Sequence, residues 1–207
     1  MARYPRLPAM PWHDPATIPA ARELERAAPQ IIAEFGRLDP AAFVPENEPI
    51  AREGDWDVYM LYERGRRHDE RCRLFPTVAG IIERQRTVRT LAGLVYFSRL
   101  AAHSRVAPHA GPTNMRVRAH LGIDIPPDCG IRVGERSATW RTGRCIVFDD
   151  SFPHEVWNES ERDRIVLVVD LWHPDLSDDE VRLLEGFQRY IDYAARGLER
   201  YWAANER

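Results

Sequence analysis

The chain has 207 residues, 44% of them hydrophobic and 29% charged, with a formal net charge of -3; that is length enough for one domain with a sizeable core, in a composition ordinary for globular proteins. Such a charge disfavours nucleic acid or an anionic membrane as partner. All 29 of the Lys+Arg residues are Arg, which excludes lysine Schiff-base chemistry and a Walker A loop and leaves bidentate recognition of carboxylates open.

Residues 1 to about 20 carry Pro5, Pro8, Pro11, Pro15 and Pro19 and read as an extended arm over the domain surface. From Ala20 to Phe35 apolar residues recur near helical spacing, with Pro29 interrupting them, so one kinked helix and two short ones are equally compatible. Asp55 to Glu63 reads as a strand and Phe75 to Arg84 as a short helix. Short strand-like runs follow at Leu94 to Leu100, Met115 to Ile125, Ile131 to Val133, Thr139 to Trp140, Arg144 to Phe148, His154 to Trp157 and Arg164 to Trp172, the spacing of a sandwich or barrel. Ser177 and Glu180 form a capping box, and Leu184, Phe187, Ile191, Ala194, Leu198 and Trp202 form an apolar stripe; the stripe predicts a helix packed on the barrel or, failing that, a contact between copies. The expected organisation is a single domain: arm and helices over 1–50, barrel over 51–175, terminal helix over 176–207.

Cys72, Cys129 and Cys145 are too far apart for a Cys-x-x-Cys site and are expected to be reduced and at least partly buried. No apolar run approaches the roughly 18 residues that span a bilayer, and the first residues lack the apolar stretch of a secretory signal. The expected location is cytoplasmic.

His109 stands in a turn punctuated by Pro and Gly, and His154 at the entry to a strand. Singly, each reads as a hydrogen-bonded structural histidine. Together, at two strand edges of a small barrel, they have the layout of a metal site in cupin-type barrels, although the third residue of the first run is Gly111 where a carboxylate is usual. In the strand that follows, Arg116, Arg118 and His120 share one face and Val117, Ala119 and Leu121 the other. That polar face is either solvated or turned into a ligand-holding interior. Arg164 lies ten residues after His154, a separation at which a hairpin returns it beside the histidine. An arginine so placed suits the distal carboxylate of a dicarboxylate such as 2-oxoglutarate; Arg162 is the neighbour that would instead pair with a surface acid.

The runs PHAGPTNMRVRAHLGIDIP (108 to 126), FDDSFPHEVWNESERDRIVLVVDLWHP (148 to 174) and GDWDVYMLYERGRR (54 to 67) resemble the aspartyl/asparaginyl β-hydroxylase family, Fe(II)- and 2-oxoglutarate-dependent oxygenases. The resemblance covers roughly residues 50 to 175. It implies a mainly β fold with flanking helices, a double-stranded β-helix (jelly-roll, cupin-like) barrel. It implies iron held by two histidines and water, with glycine in place of the carboxylate, as Gly111 has it. His109 and His154 match the iron ligands; Ser98 and Arg164 match the residues holding the distal carboxylate of 2-oxoglutarate. Arg118 and His120 match positions at the near end of the cosubstrate and the substrate pocket, with Arg116 beside them on the substrate side. The implied reaction consumes O2 and 2-oxoglutarate, releases succinate and CO2, and hydroxylates a C–H bond of a carboxylate-bearing amino acid or peptide. The chain departs from the family pattern at Tyr96 and Phe97, where Lys or Arg is frequent. Two other classes stand beside this one: a non-catalytic cupin-like binding module, and a 2-oxoglutarate-dependent halogenase with chloride at the vacated carboxylate position. In either oxygenase, an Asp introduced at Gly111 is expected to be accommodated and to add a metal ligand.

Overall fold

The computed structural model describes residues 3–46 and 51–205, with the side chains of 51, 52 and 196–205 outside the description. In chain order its strands are β1 (Trp12–His13), β2 (Val44–Pro45), β3 (Ala51–Glu53), β4 (Trp56–Glu63), β5 (Arg66–Arg67), β6 (Leu94–Leu100) and β7 (Ser104–His109). They continue with β8 (Arg116–Asp124), β9 (Cys129–Val133), β10 (Arg136–Ala138), β11 (Cys145–Phe148), β12 (His154–Asn158) and β13 (Arg164–Trp172). The helices are α1 (Pro19–Phe35), α2 (Asp69–Leu74), α3 (Pro76–Arg84) and α4 (Asp178–Asn205).

Two sheets form. The larger has the order β1-β11-β8-β13-β6-β4-β2 with β5 on β4, and the smaller the order β10-β9-β12-β7-β3. Strand alternation assigns each side chain its layer. On β13, Val166 and Val168 enter the core between the sheets, where they meet Ile131, Val133 and Val156 of the smaller sheet. Leu167, Val169 and Leu171 enter a second core between the larger sheet and the helices. The helices thus cover the outer face of the larger sheet and leave the space between the sheets for a ligand. This is the jelly-roll barrel with flanking helices that the resemblance implies.

α1 is one helix despite Pro29. The ring points to solvent and removes only one backbone donor, whereas the opposite face buries Leu24 and Ile31 completely, worth roughly 1.5–3 kcal/mol each. The arm is less bare than expected: Trp12 and His13 pair with Phe148 and Val147 as an edge strand. Asn114 exchanges hydrogen bonds with the backbone of Tyr4, and the Tyr4 hydroxyl donates to Glu180. The arm's residues 1–2, and residues 47–50 of the expected helical stretch, lie outside the described residues. The strand expected at Thr139 to Trp140 sits earlier, at β10, and α2 and β7 were not expected. All three cysteines are buried, free thiols.

Two expectations need correcting. β12 and β13 are not a hairpin, since β12 belongs to the smaller sheet and β13 to the larger. The turn between them is a corner pinned by buried Asn158, whose Nδ2 donates to the carbonyls of Leu100, Ala101 and Arg162 at 3.1, 2.9 and 2.8 Å. Arg162 pairs with Asp124 on the surface. The second correction concerns α4. Its capping box is made as expected, with Ser177 N–H donating to Glu180 and Glu180 N–H to Ser177. Val181 and Leu184 pack on Trp172 and Val88, but Phe187 and Ile191 of the stripe are 61% and 43% exposed, because beyond its first turns the helix faces the body with Gln188, Arg189 and Asp192. Leu198 and Trp202 fall outside the described side chains.

Candidate functional site

His109 closes β7 and His154 opens β12, opposite each other in the ladder, with ring centroids 4.1 Å apart. His109 Nδ1 lies 2.8 Å from the carbonyl of Ala107, and His154 Nδ1 lies 2.9 Å from that of Phe152. A carbonyl can only accept, so each Nδ1 carries the proton and each Nε2 the lone pair. Burial, and then His109, push the His154 pKa down to about 4, which keeps the ring neutral as metal ligation requires. The pair therefore fits a borderline cation such as Fe(II) or Zn(II). Among the described residues, no group of three or more His, Cys, Asp or Glu is placed to hold a metal.

The depressed pKa has a consequence for the metal-free protein. The unfolded chain protonates this histidine near its ordinary value, ahead of the folded one, so its contribution costs nothing above pH 6.5 and grows as pH falls towards 4. The full cost is on the order of 3 kcal/mol. Urea unfolding in the presence of a chelator should show stability falling more steeply between pH 6.5 and 4.5 in the parent than in His154→Leu; parallel curves would contradict it.

Gly111 has a plain steric reason. A Cβ there would come within 2.6 Å of the Asp150 carboxyl, and Gly111 N–H donates to the Asp150 carbonyl at 2.6 Å. The expectation that Asp at position 111 is accommodated is therefore wrong: the space is already taken by a buried carboxylate.

The polar face of β8 is buried, not solvated. Arg116 donates to Asp150 at 2.9 Å and to Asp170 at 3.1 Å, and Arg118 donates to Asp170 through Nε at 2.8 Å. Asp170 also accepts Leu94 N–H at 3.0 Å. Burial opposes the charges of Arg118 and Asp150, but each is outweighed by its partners, so the Arg118 pKa stays high and that of Asp150 low. Two arginines and two aspartates balance. The surplus of positive charge that three converging arginines imply thus shrinks to one, Arg164.

Arg164 is 2% exposed, and no ion pair among the described residues uses it. Its guanidinium lies over the Trp140 ring, 4.9 Å from the centroid, its Nε has no hydrogen-bond partner, and burial pushes its pKa down to about 10. A buried cation with no carboxylate is costly unless an anion arrives. Ser98, on the neighbouring strand β6, accepts from Trp56 Nε1 at 3.0 Å. His120 stacks on Trp140 with rings 13° from parallel; burial, then Arg118 and Arg164, push its pKa well down, so it is neutral. Arg164, Ser98, His120 and the two metal-side histidines line one narrow interior cavity.

Six of the seven residues singled out in the sequence, Ser98, His109, Arg118, His120, His154 and Arg164, thus line the same interior cavity, and the seventh, Arg116, lines the cavity next to it. Four others were missed. Asp170 was legible as sharing the Arg164 face of β13; Asp150, Trp56 and Trp140 carried no spacing signal. Outside the histidines opens a second cavity of about 480 Å³, lined by Trp56, Tyr96, Arg116, Arg118 and Asp150 among others. A further cavity, about 640 Å³, lies against α4.

The jelly roll thus carries a tautomer-locked histidine pair at the mouth and, in the interior, an arginine with no carboxylate partner among the described residues. The chain belongs to the aspartyl/asparaginyl β-hydroxylase family, whose model matches residues 25–174, reaching further upstream than the motifs quoted above and taking in part of α1. It is 36% identical over 186 residues to the human aspartyl/asparaginyl beta-hydroxylase, covering 86% of this chain and 24% of that protein. It is 31% identical over 198 residues to aspartate beta-hydroxylase domain-containing protein 2 of Xenopus tropicalis, covering 87% and 52%. The chain spans about a quarter to half the length of these relatives. Among solved structures, a Pseudomonas putida prolyl-4-hydroxylase superposes with a TM-score of 0.46 at 14% identity, over 80% of this chain and 94% of that one.

Proposed function

We propose that the chain is an Fe(II)- and 2-oxoglutarate-dependent dioxygenase that hydroxylates a C–H bond of a carboxylate-bearing substrate, an amino acid or an aspartyl or asparaginyl residue of a peptide. The observation that carries this reading is Arg164: a fully buried guanidinium without a carboxylate, behind two histidines whose Nε2 atoms bear lone pairs. Bound iron with 2-oxoglutarate and O2 supplies the oxidation, releasing succinate and CO2. The chain's part is binding and orientation. Arg164 takes the distal carboxylate through its planar fork, with Ser98 Oγ beside it. Neutral His120 and the Trp140 ring shape the cavity wall, and His109 and His154 hold the metal. Arg118 and Arg116, fixed by Asp170 and Asp150, face the outer cavity where the substrate enters. A halide beside Gly111 would meet the Asp150 carboxylate, which disfavours the halogenase reading.

Aerobic incubation with Fe(II), 2-oxoglutarate and a panel of aspartyl peptides and carboxylate metabolites should yield succinate and a product heavier by one oxygen, with or without chloride. A chlorinated product, or no 2-oxoglutarate turnover with any substrate, would overturn the reading. His154→Ala should stay folded but lose tight Fe(II) binding under anaerobic conditions, since half of the protein's ligands are gone.

A further inference from the structure

The two outer cavities adjoin. The 480 Å³ cavity outside the histidines and the 640 Å³ cavity against α4 share two lining residues, Arg64 and Leu91. Arg64 is held at that neck. It sits at φ 47° with Gly65 at φ 86°, the paired left-handed residues of a tight hairpin turn between β4 and β5, and its N–H donates to the Gly93 carbonyl at 3.0 Å. From interior to exterior the order is Arg164, the histidine pair, the Arg116–Arg118 cavity, the Arg64 neck and the distal cavity. A free amino acid would fill only the first part of it.

The charges of the distal cavity are uneven. Its acids are engaged: Glu83 accepts from Arg67 and Tyr62 at 3.1 Å, Glu185 pairs with Arg189 at 3.3 Å, and Asp192 has a partner too. Arg64 and Arg89, both exposed to the cavity, enter no ion pair among the described residues. Two cations are left to face whatever occupies it.

We propose that the distal cavity is a substrate subsite, and that the substrate is an extended acidic peptide whose carboxylates, several residues away from the reacting one, are recognised by Arg64 and Arg89. This rests on the hydroxylase reading for the identity of the reacting residue, while binding in the cavity can be read separately. The probe is a peptide about twelve residues long, which spans roughly 40 Å when extended. It carries one central Asp flanked on both sides by Glu, and its counterpart carries Gln in place of each Glu. The parent should show a KM for the acidic peptide about fivefold below that for the neutral one, the size expected of two partly exposed ion pairs, and the preference should shrink as salt is raised. In Arg64→Gln/Arg89→Gln the two KM values should converge. Circular dichroism checks that variant's fold, and Arg73→Gln, on the exposed α2, is the surface-charge control.

A parent without the preference, or a double variant that keeps it, overturns the proposal. Fluorescence anisotropy of the labelled acidic peptide on metal-free protein separates the two readings. Salt-sensitive binding that depends on Arg64 and Arg89, with no hydroxylation of any peptide, would uphold the subsite and sink the hydroxylase; no binding would sink the subsite whatever the fate of the hydroxylase.

Discussion

Replacing Arg164 with Met should make the metal-free protein more stable and at the same time greatly weaken the proposed binding of 2-oxoglutarate. The two effects have one cause. The guanidinium lies 2% exposed against Trp140, with burial depressing its pKa to about 10, so the folded protein carries the desolvation cost of a cation with no carboxylate opposite it among the described residues. Met fills a similar volume and makes a good contact with an indole ring. The expected gain is on the order of 2 kcal/mol in urea unfolding. The loss is larger: two charge-assisted bonds to a carboxylate disappear, and affinity measured calorimetrically with Mn(II) in the absence of oxygen should fall about a hundredfold or more. Arg164→Lys should cost about tenfold, since it keeps a charge without the planar fork. A Met variant that is destabilised and still binds 2-oxoglutarate would show that this arginine is structural.

The largest loss of stability is expected from Asp170→Asn. This residue is fully buried and receives hydrogen bonds from Arg116, from two nitrogens of Arg118 and from Leu94 N–H. Removing its charge leaves two buried guanidinium groups sharing Asp150, and breaking one partner of such a cluster typically costs about 3–5 kcal/mol. Urea midpoints at unchanged m-value report it. Adding Arg116→Met to Asp170→Asn removes the surplus cation and should recover part of the loss. A double variant no better than the single one would mean that the Leu94 hydrogen bond, not charge balance, makes Asp170 necessary.

Alternation along single strands made much of the site legible. Arg116, Arg118 and His120 share a face of β8, and Arg164 and Asp170 share a face of β13, because a strand's two-residue period fixes which side chains turn inward. The chain itself does not state what stands opposite. Asp150 reaches Arg116 only because the loop before β12 folds under β8, a tertiary contact between residues 34 apart. The same limit hid the corner at Asn158, where a hairpin spacing instead carries the chain from one sheet to the other. It also hid the attitude of α4, since an apolar stripe states that a face can be buried, not that the body offers a surface to bury it. Pro29 shows the converse, a local rule overruled by the packed face of α1.

The contact between Gly111 and Asp150 constrains how this protein can change. One carboxylate, that of Asp150, already fills that space. Gly111→Asp alone drives its Cβ to within 2.6 Å of the Asp150 carboxyl, and Asp150→Gly alone takes one acid from a balanced set of four charges. Moving the acid from one loop to the other therefore passes through intermediates that are each impaired. The two positions are therefore sterically tied: a side chain at 111 needs the Asp150 carboxylate moved or removed first.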